Sequence, residues 1–243
     1  MRKKSLSQAM KEMQELMLER SDEILESIES AEPHIFPILR RRWHYRDTSG
    51  ATAYPNRLIC GLELTYHVAM DDRLEFCALI TDDMLKRWDC SKELVDEIAR
   101  KNYQKKVRID RVDTMLQMDL PLELFVIRDP HHMFGASVLA YPELLNELLE
   151  KAEFRKDKER IEDDRQATME ERAKEEPWYL IPSSVYEILA FPVNSANGSV
   201  RTIRQIVRHI NAEMVSHKDQ LSDQVYLFDP SAVKKGVRIA RDV

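Results

Sequence analysis

Apolar positions along the first thirty residues recur at helical intervals. Leu6, Met10, Met13 and Met17 stand four, three and four apart, and Ile24 and Ile28 resume the stripe after Arg20. The pattern predicts an amphipathic helix over residues 4–30. Flexible thioethers on one face suit contact with an as yet unknown protein partner or self-association, beside the plainer option of docking on the chain's own domain. Pro33 and Pro37 end the helical stretch, and the dense basic and aromatic run Arg40-Arg41-Arg42-Trp43-His44-Tyr45-Arg46 follows.

From about residue 58 the period shortens. Leu58-Ile59-Cys60, Leu62 to Val68 and Leu74 to Ile80 read as strands. Thr81 stands where an N-cap belongs, with Asp82 and Asp83 in the first turn of a helix through Met84, Leu85 and Trp88. Ser91 caps a second helix with Leu94, Val95, Ile98 and Ala99 on its apolar face, ending near Lys101-Asn102. Leu122 to Ile127 and Ala136 to Ala140 read as strands on either side of the turn Asp129-Pro130-His131-His132. Pro142 opens a helix carrying Leu144, Leu145, Leu148 and Leu149. Trp178 to Ile181 and Val185 to Val193 are further strands about the turn Pro182-Ser183-Ser184. A helix with Ile203, Ile206, Val207 and Ile210 inward and a last strand, Gln224 to Phe228, complete the pattern.

Strands and helices alternate without a regular βαβ period. The expected fold is therefore α+β, a single mixed sheet with flanking helices, preceded by the N-terminal amphipathic helix. Residues 1–57 form the N-terminal helix and basic linker, and 58–243 the α+β domain, with a charged insertion at about 151–176. In that insertion eight basic and ten acidic side chains occupy 26 positions, too polar a composition to bury itself.

Composition narrows the function classes. The chain has 243 residues, 37 basic against 43 acidic and a formal net charge of −6, which gives no overall pull toward nucleic acid or anionic lipid. No apolar run has the length of a membrane span, and Met1-Arg2-Lys3-Lys4 leads into charged sequence, so the expected location is the cytoplasm. Cys60, Cys77 and Cys90, odd in number and widely spaced, fit reduced thiols. Five dispersed glycines form no phosphate-cradling loop, and no cofactor is expected.

Four segments in order carry a resemblance: Thr81-Asp82-Asp83-Met84-Leu85-Lys86-Arg87-Trp88, Gly135-Ala136-Ser137-Val138-Leu139-Ala140-Tyr141-Pro142, Tyr179-Leu180-Ile181-Pro182-Ser183-Ser184-Val185-Tyr186-Glu187 and Leu221-Ser222-Asp223-Gln224-Val225-Tyr226. Over roughly residues 62–229 the chain resembles an uncharacterised domain-of-unknown-function family of Firmicutes, the one numbered 5688. The resemblance implies a bacterial cytoplasmic protein. The chain departs from it in two places. Members commonly carry a histidine in the proline-serine-serine turn, where this chain has Tyr186, and they pass from the leucine-rich helix to that turn in few residues, where this chain has the charged stretch.

Three chemistries are open to these residues. Ser183, Ser184 and Glu187 would serve a hydrolase at the Pro182–Ser184 turn. No histidine stands nearby in sequence and no Gly-flanked elbow is present, so structural turn hydroxyls are the expected role. His131 and His132 are adjacent, and His209 and His217 lie eight apart without a carboxylate at ligand spacing, so no metal is expected. Arg40, Arg41, Arg42 and Arg46 with Trp43, and Arg201, Arg204 and Arg208 along one helix face, offer a nucleic-acid surface. The resulting expectation is a non-enzymatic protein-interaction or accessory protein. A nucleic-acid-associated accessory protein using Arg40–Arg46 and Arg201–Arg208 is the alternative, and a hydrolase is the third reading.

Overall fold

The computed structural model describes residues 21–42, 53–71, 76–116, 123–160, 176–182, 184–196 and 198–241. The expected partner stripe Leu6, Met10, Met13 and Met17 therefore lies outside the described residues, as do Trp43, Tyr45, Arg46 and Ser183. The chain divides into two units. One comprises residues 1–37, 49–56 and 65–103, the other 38–48, 57–64 and 104–243.

The α+β class holds, but the expected single mixed sheet is two antiparallel sheets. The first has the order β1 (Ile35–Arg41), β3 (Leu62–Ala69), β2 (Asn56–Ile59), with β4 (Cys77–Leu79) paired to β3. Strand β1 carries Pro37 in its interior, which hid it from a pattern reading, because proline is tolerated in a sheet chiefly on an edge strand. Burial of Ile35, Phe36, Ile38 and Leu39 stabilises it there. Strands β2 and β3 are joined by Cys60-Gly61, with φ of 48° and 86°, the left-handed pair that a two-residue hairpin turn requires.

In the first unit the predicted 4–30 helix is interrupted. Residues 21–25 are helical, Ser27 is extended, and its hydroxyl accepts from the Ser30 N–H to start α1 (Ile28–Ala31). Ile24 is buried, and the Leu25 carbonyl accepts from the Trp88 indole N–H at 3.1 Å. Thr81 caps α2 (Asp82–Arg87) through the Met84 N–H, and Ser91 accepts from the Leu94 N–H at the start of α3 (Lys92–Gln104). Helix α3 runs past Lys101-Asn102 for two physical reasons. Tyr103 is buried, and the Asn102 amide donates to the Glu32 and Ile35 carbonyls instead of capping its own helix. Leu94, expected inward, is 41% exposed.

The second sheet, in the second unit, has the order β10 (Arg238–Ile239), β9 (Tyr226–Phe228), β7 (Trp178–Ile181), β8 (Glu187–Pro192), β6 (Phe125–Arg128), β5 (Arg108–Arg111). Register aligns Leu180 with Ala190 and Tyr226, and Ala190 with Phe125, so one face is a continuous buried apolar layer. On the other face Ile181 and Phe191 pack with Val207 of α6 (Val200–Met214), with Tyr179, Leu189 and Ile203 around them. Both faces of β7 and β8 are covered, which is why these strands read as near-continuous apolar runs. Strand β5 has a single apolar residue, Ile109, and gives no pattern signal. It leads into α4 (Val112–Leu116). Helix α5 (Pro142–Arg160) packs against β5 and buries the predicted leucines.

Residues 136–140, expected as a strand, instead form a 3-10 helix over Gly135–Ala140. Every residue of it is buried, so its apolar run reflects enclosure on all sides and not a sheet face. The Gly135 and Ala136 N–H groups donate to the Tyr186 and Val185 carbonyls, and the Ser137 hydroxyl accepts from the Leu39 N–H at 3.1 Å.

Candidate functional site

At the end of the second sheet where β6 and β8 meet the Asp129 loop, a buried carboxylate, two histidines and a row of charged residues stand together. Asp129, 1% exposed, ends β6 and turns its carboxylate back into the loop. One oxygen accepts from the His131 N–H and the other from the Met133 and Phe134 N–H groups, all at 2.9 Å. Three backbone donors converging on one buried carboxylate fix the loop, and His132 is held at φ 53°, uncommon for a residue with a side chain. His131 and His132 both project to solvent. Gly135 closes the loop against the sheet, where a Cβ would meet the Tyr186 carbonyl oxygen and lie 2.7 Å from Arg128 Cα. Only glycine permits this approach.

Beside the loop, register places Arg108, Arg128 and Glu187 in one row across β5, β6 and β8. Arg128 Nε donates to Asp110 at 3.4 Å, and its guanidinium lies 3.3 Å from His132 Nε2, a contact that needs an unprotonated Nε2 as acceptor. Glu187 thus stands opposite Arg128 in register, on a half-buried surface. Ser184 is buried and pairs in a β-bridge with Gln220, and its hydroxyl accepts from the Tyr186 N–H at 3.3 Å. That is a turn hydroxyl satisfying backbone, as its sequence context implies. Burial, and then a hydrogen bond to the Asp219 carboxylate, push the Tyr186 phenol up to about 12, so it keeps its proton throughout the neutral range and is no base there. Nothing brings a histidine to Ser184 among the described hydrogen bonds.

The sequence-predicted basic residues are distributed otherwise than a common binding row would need. Arg41 donates to the Leu221 carbonyl and to Gln220, and Arg204 to the Ala240 carbonyl, so both hold the fold. Arg42, Arg201 and Arg208 are exposed, while Arg40 is half-buried. On α6 the three arginines occupy one flank, and the opposite flank carries an apolar ridge. Ile206, expected inward, is 54% exposed, Ile210 is half-buried and Met214 is 80% exposed. These stand at successive intervals of four, a ridge of the kind that packs into the groove of another helix.

Sequence reasoning passed over a buried pair in the first unit. Thr65 Oγ1 and His67 Nε2 lie 3.0 Å apart on β3, with the Phe36 ring stacked on the imidazole at 6.1 Å. Both are buried. The available signal was the alternation of Glu63, Thr65 and His67 with Leu62, Leu64, Tyr66 and Val68. Among the described residues no group of three or more histidine, cysteine or carboxylate side chains is arranged to hold a metal. No helix among them is long and apolar enough to cross a membrane.

Fold and surface together define an α+β protein with two antiparallel sheets, a rigid acid-centred loop and a partly uncovered helix. Residues 163–230 match the model of a family described as Family of unknown function (DUF5688). The match takes in the Pro182–Ser184 turn, β8, α6 and β9. It begins within the charged stretch, well after residue 62, where the resemblance in sequence starts. No curated protein and no solved structure gives a significant match to the chain.

Proposed function

We propose that this chain is a protein-interaction or accessory protein of the bacterial cytoplasm, acting by binding a partner and not by catalysis. The observation that carries this reading is the α6 ridge. The helix buries Val200 and Val207 against its own sheet yet continues its apolar surface outward through Ile206 and Ile210 to Met214. Apolar side chains in line on one exposed flank favour a second helix as the occupant. The Leu6, Met10, Met13 and Met17 stripe is a second candidate contact of the same chemistry. Nucleic-acid binding has less support, since Arg41 and Arg204 are engaged with backbone carbonyls.

The test is capture from a bacterial lysate by the full chain, with and without nuclease, against the double variant Ile206→Glu, Met214→Glu. Both side chains are exposed, so the fold should keep its stability to within about 0.5 kcal/mol. A protein retained by the wild type and lost by the variant supports the reading. A captured set identical in both, or lost on nuclease treatment, refutes it.

A further inference from the structure

Helix α5 buries Leu144, Leu145, Leu148 and Leu149, and the next position of that stripe, 152, is alanine. Alanine there leaves space that a leucine would fill. A cavity of about 200 Å³ lies at this point, bounded by Ile109, Asp110 and Arg111 of β5, Thr114 and Met115 of α4, Phe125 of β6 and Ala152. It is a half-open pocket with Ile109, Met115, Phe125 and Ala152 as its apolar walls and Asp110, Arg111 and Thr114 as its polar ones. The floor is fixed: Phe125 is buried and packs edge-on to Trp178 with ring centroids 5.5 Å apart. The rim is adaptable, because Met115 is 41% exposed.

The charges at the mouth are paired, Asp110 accepting from Arg128 Nε at 3.4 Å. Arg111 stands in register with Phe125, and its guanidinium grips the Asp113 carboxylate through both oxygens, Nε to Oδ1 at 3.0 Å and the terminal nitrogen to Oδ2. An anionic ligand would have to displace Asp113 from Arg111, and a cationic one Arg111 from Asp113 or Arg128 from Asp110. A neutral ligand displaces none of them. The Thr114 hydroxyl, which donates to Asp113 at 3.3 Å, still has lone pairs to accept a hydrogen bond at the rim. An apolar cavity of about 150 Å³ lined by leucine, isoleucine and phenylalanine suffices for benzene.

We propose that this cavity is a binding site for one uncharged six-membered ring, aromatic or alicyclic, bearing at most a hydroxyl or hydroxymethyl group. The test follows the methyl resonances of Ile109, Met115 and Ala152 in the full chain during titration with benzyl alcohol, and in parallel with benzoate and benzylamine. Benzyl alcohol should move all three methyls saturably at millimolar concentration, with both charged analogues at least about tenfold weaker, the penalty of breaking a charge-assisted pair. Ala152→Leu fills the cavity and should weaken benzyl alcohol at least about tenfold. Met115→Glu, a change at the exposed rim that leaves the core intact, should do the same and serves if the leucine variant does not fold. Absence of saturable shifts, equal affinity for the three ligands, or undiminished binding in a folded variant overturns the proposal.

Discussion

Replacing Asp129 by asparagine separates the charge of the buried carboxylate from its shape. In the native loop one oxygen serves His131 and the other serves Met133 and Phe134, each bond 2.9 Å long. An asparagine keeps one acceptor. With its carbonyl toward Met133 and Phe134, its amide faces the His131 N–H, donor against donor. One charge-assisted bond is then lost, at about 1.5–3 kcal/mol, and the other two weaken, so Asp129→Asn should cost about 2–4 kcal/mol. Asp129→Ala leaves three donors unsatisfied in the loop and should cost more. His131→Ala, in the same loop but with its side chain in solvent, should stay within about 0.5 kcal/mol. Urea denaturation followed by circular dichroism, and by tryptophan fluorescence, to which Trp178 buried in the second sheet contributes, measures all three. An asparagine variant as stable as the wild type would mean that the carboxylate does not hold the loop, and the rigidity inferred for the His131-His132 presentation would go with it.

Ser184→Ala should lower stability by about 0.5–2 kcal/mol, the usual cost of a lost turn hydrogen bond, and a fluorophosphonate probe should leave Ser184 of the wild type unlabelled; labelling would make the turn an active site. Tyr186 binds its proton more tightly folded than unfolded, so its contribution is whole below pH 10 and declines as pH rises toward about 12. Tyr186→Phe should therefore flatten the loss of stability over that window in urea midpoints, and an unchanged slope would contradict the raised phenol. Arg204→Ala should cost about 1–3 kcal/mol through its lost bond to the Ala240 carbonyl, while exposed Arg208→Ala stays within about 0.5 kcal/mol; equal effects in thermal unfolding would erase the distinction between the two arginines.

What could be read beforehand was whatever local chemistry decides. The caps at Thr81 and Ser91 and the strands through Leu62–Val68 and Trp178–Ile181 follow from propensity and spacing, and the structure has them. Strand β1 was hidden because Pro37 signals a stop, and only its place at the end of a sheet makes it tolerable. Strand β5 was hidden because Arg108, Asp110 and Arg111 give it no apolar face, and pairing with β6 alone defines it. Residues 136–140 misled in the opposite direction, since an apolar run enclosed on every side resembles a buried strand. Of the site, the turn Asp129-Pro130-His131-His132 was legible. The inward carboxylate was not, because its three donors follow it in sequence without a motif, and Gly135's contact with Tyr186 joins residues 51 positions apart.

The same charges that concealed β5 protect the chain from itself. Among the described residues β5 ends one side of the second sheet, and such an end offers unpaired backbone groups on which a like strand can grow. Three of its four residues are charged, so a second copy approaching in register must desolvate two arginines and an aspartate for each ladder it adds. Beyond that edge lie strands as apolar as Phe125-Val126-Ile127 and Ile188-Leu189-Ala190, the composition from which amyloid-like stacks form. Strand β5 thus serves as a gatekeeper for colloidal stability, and replacing Arg108 and Asp110 with threonine should raise the aggregation read by light scattering.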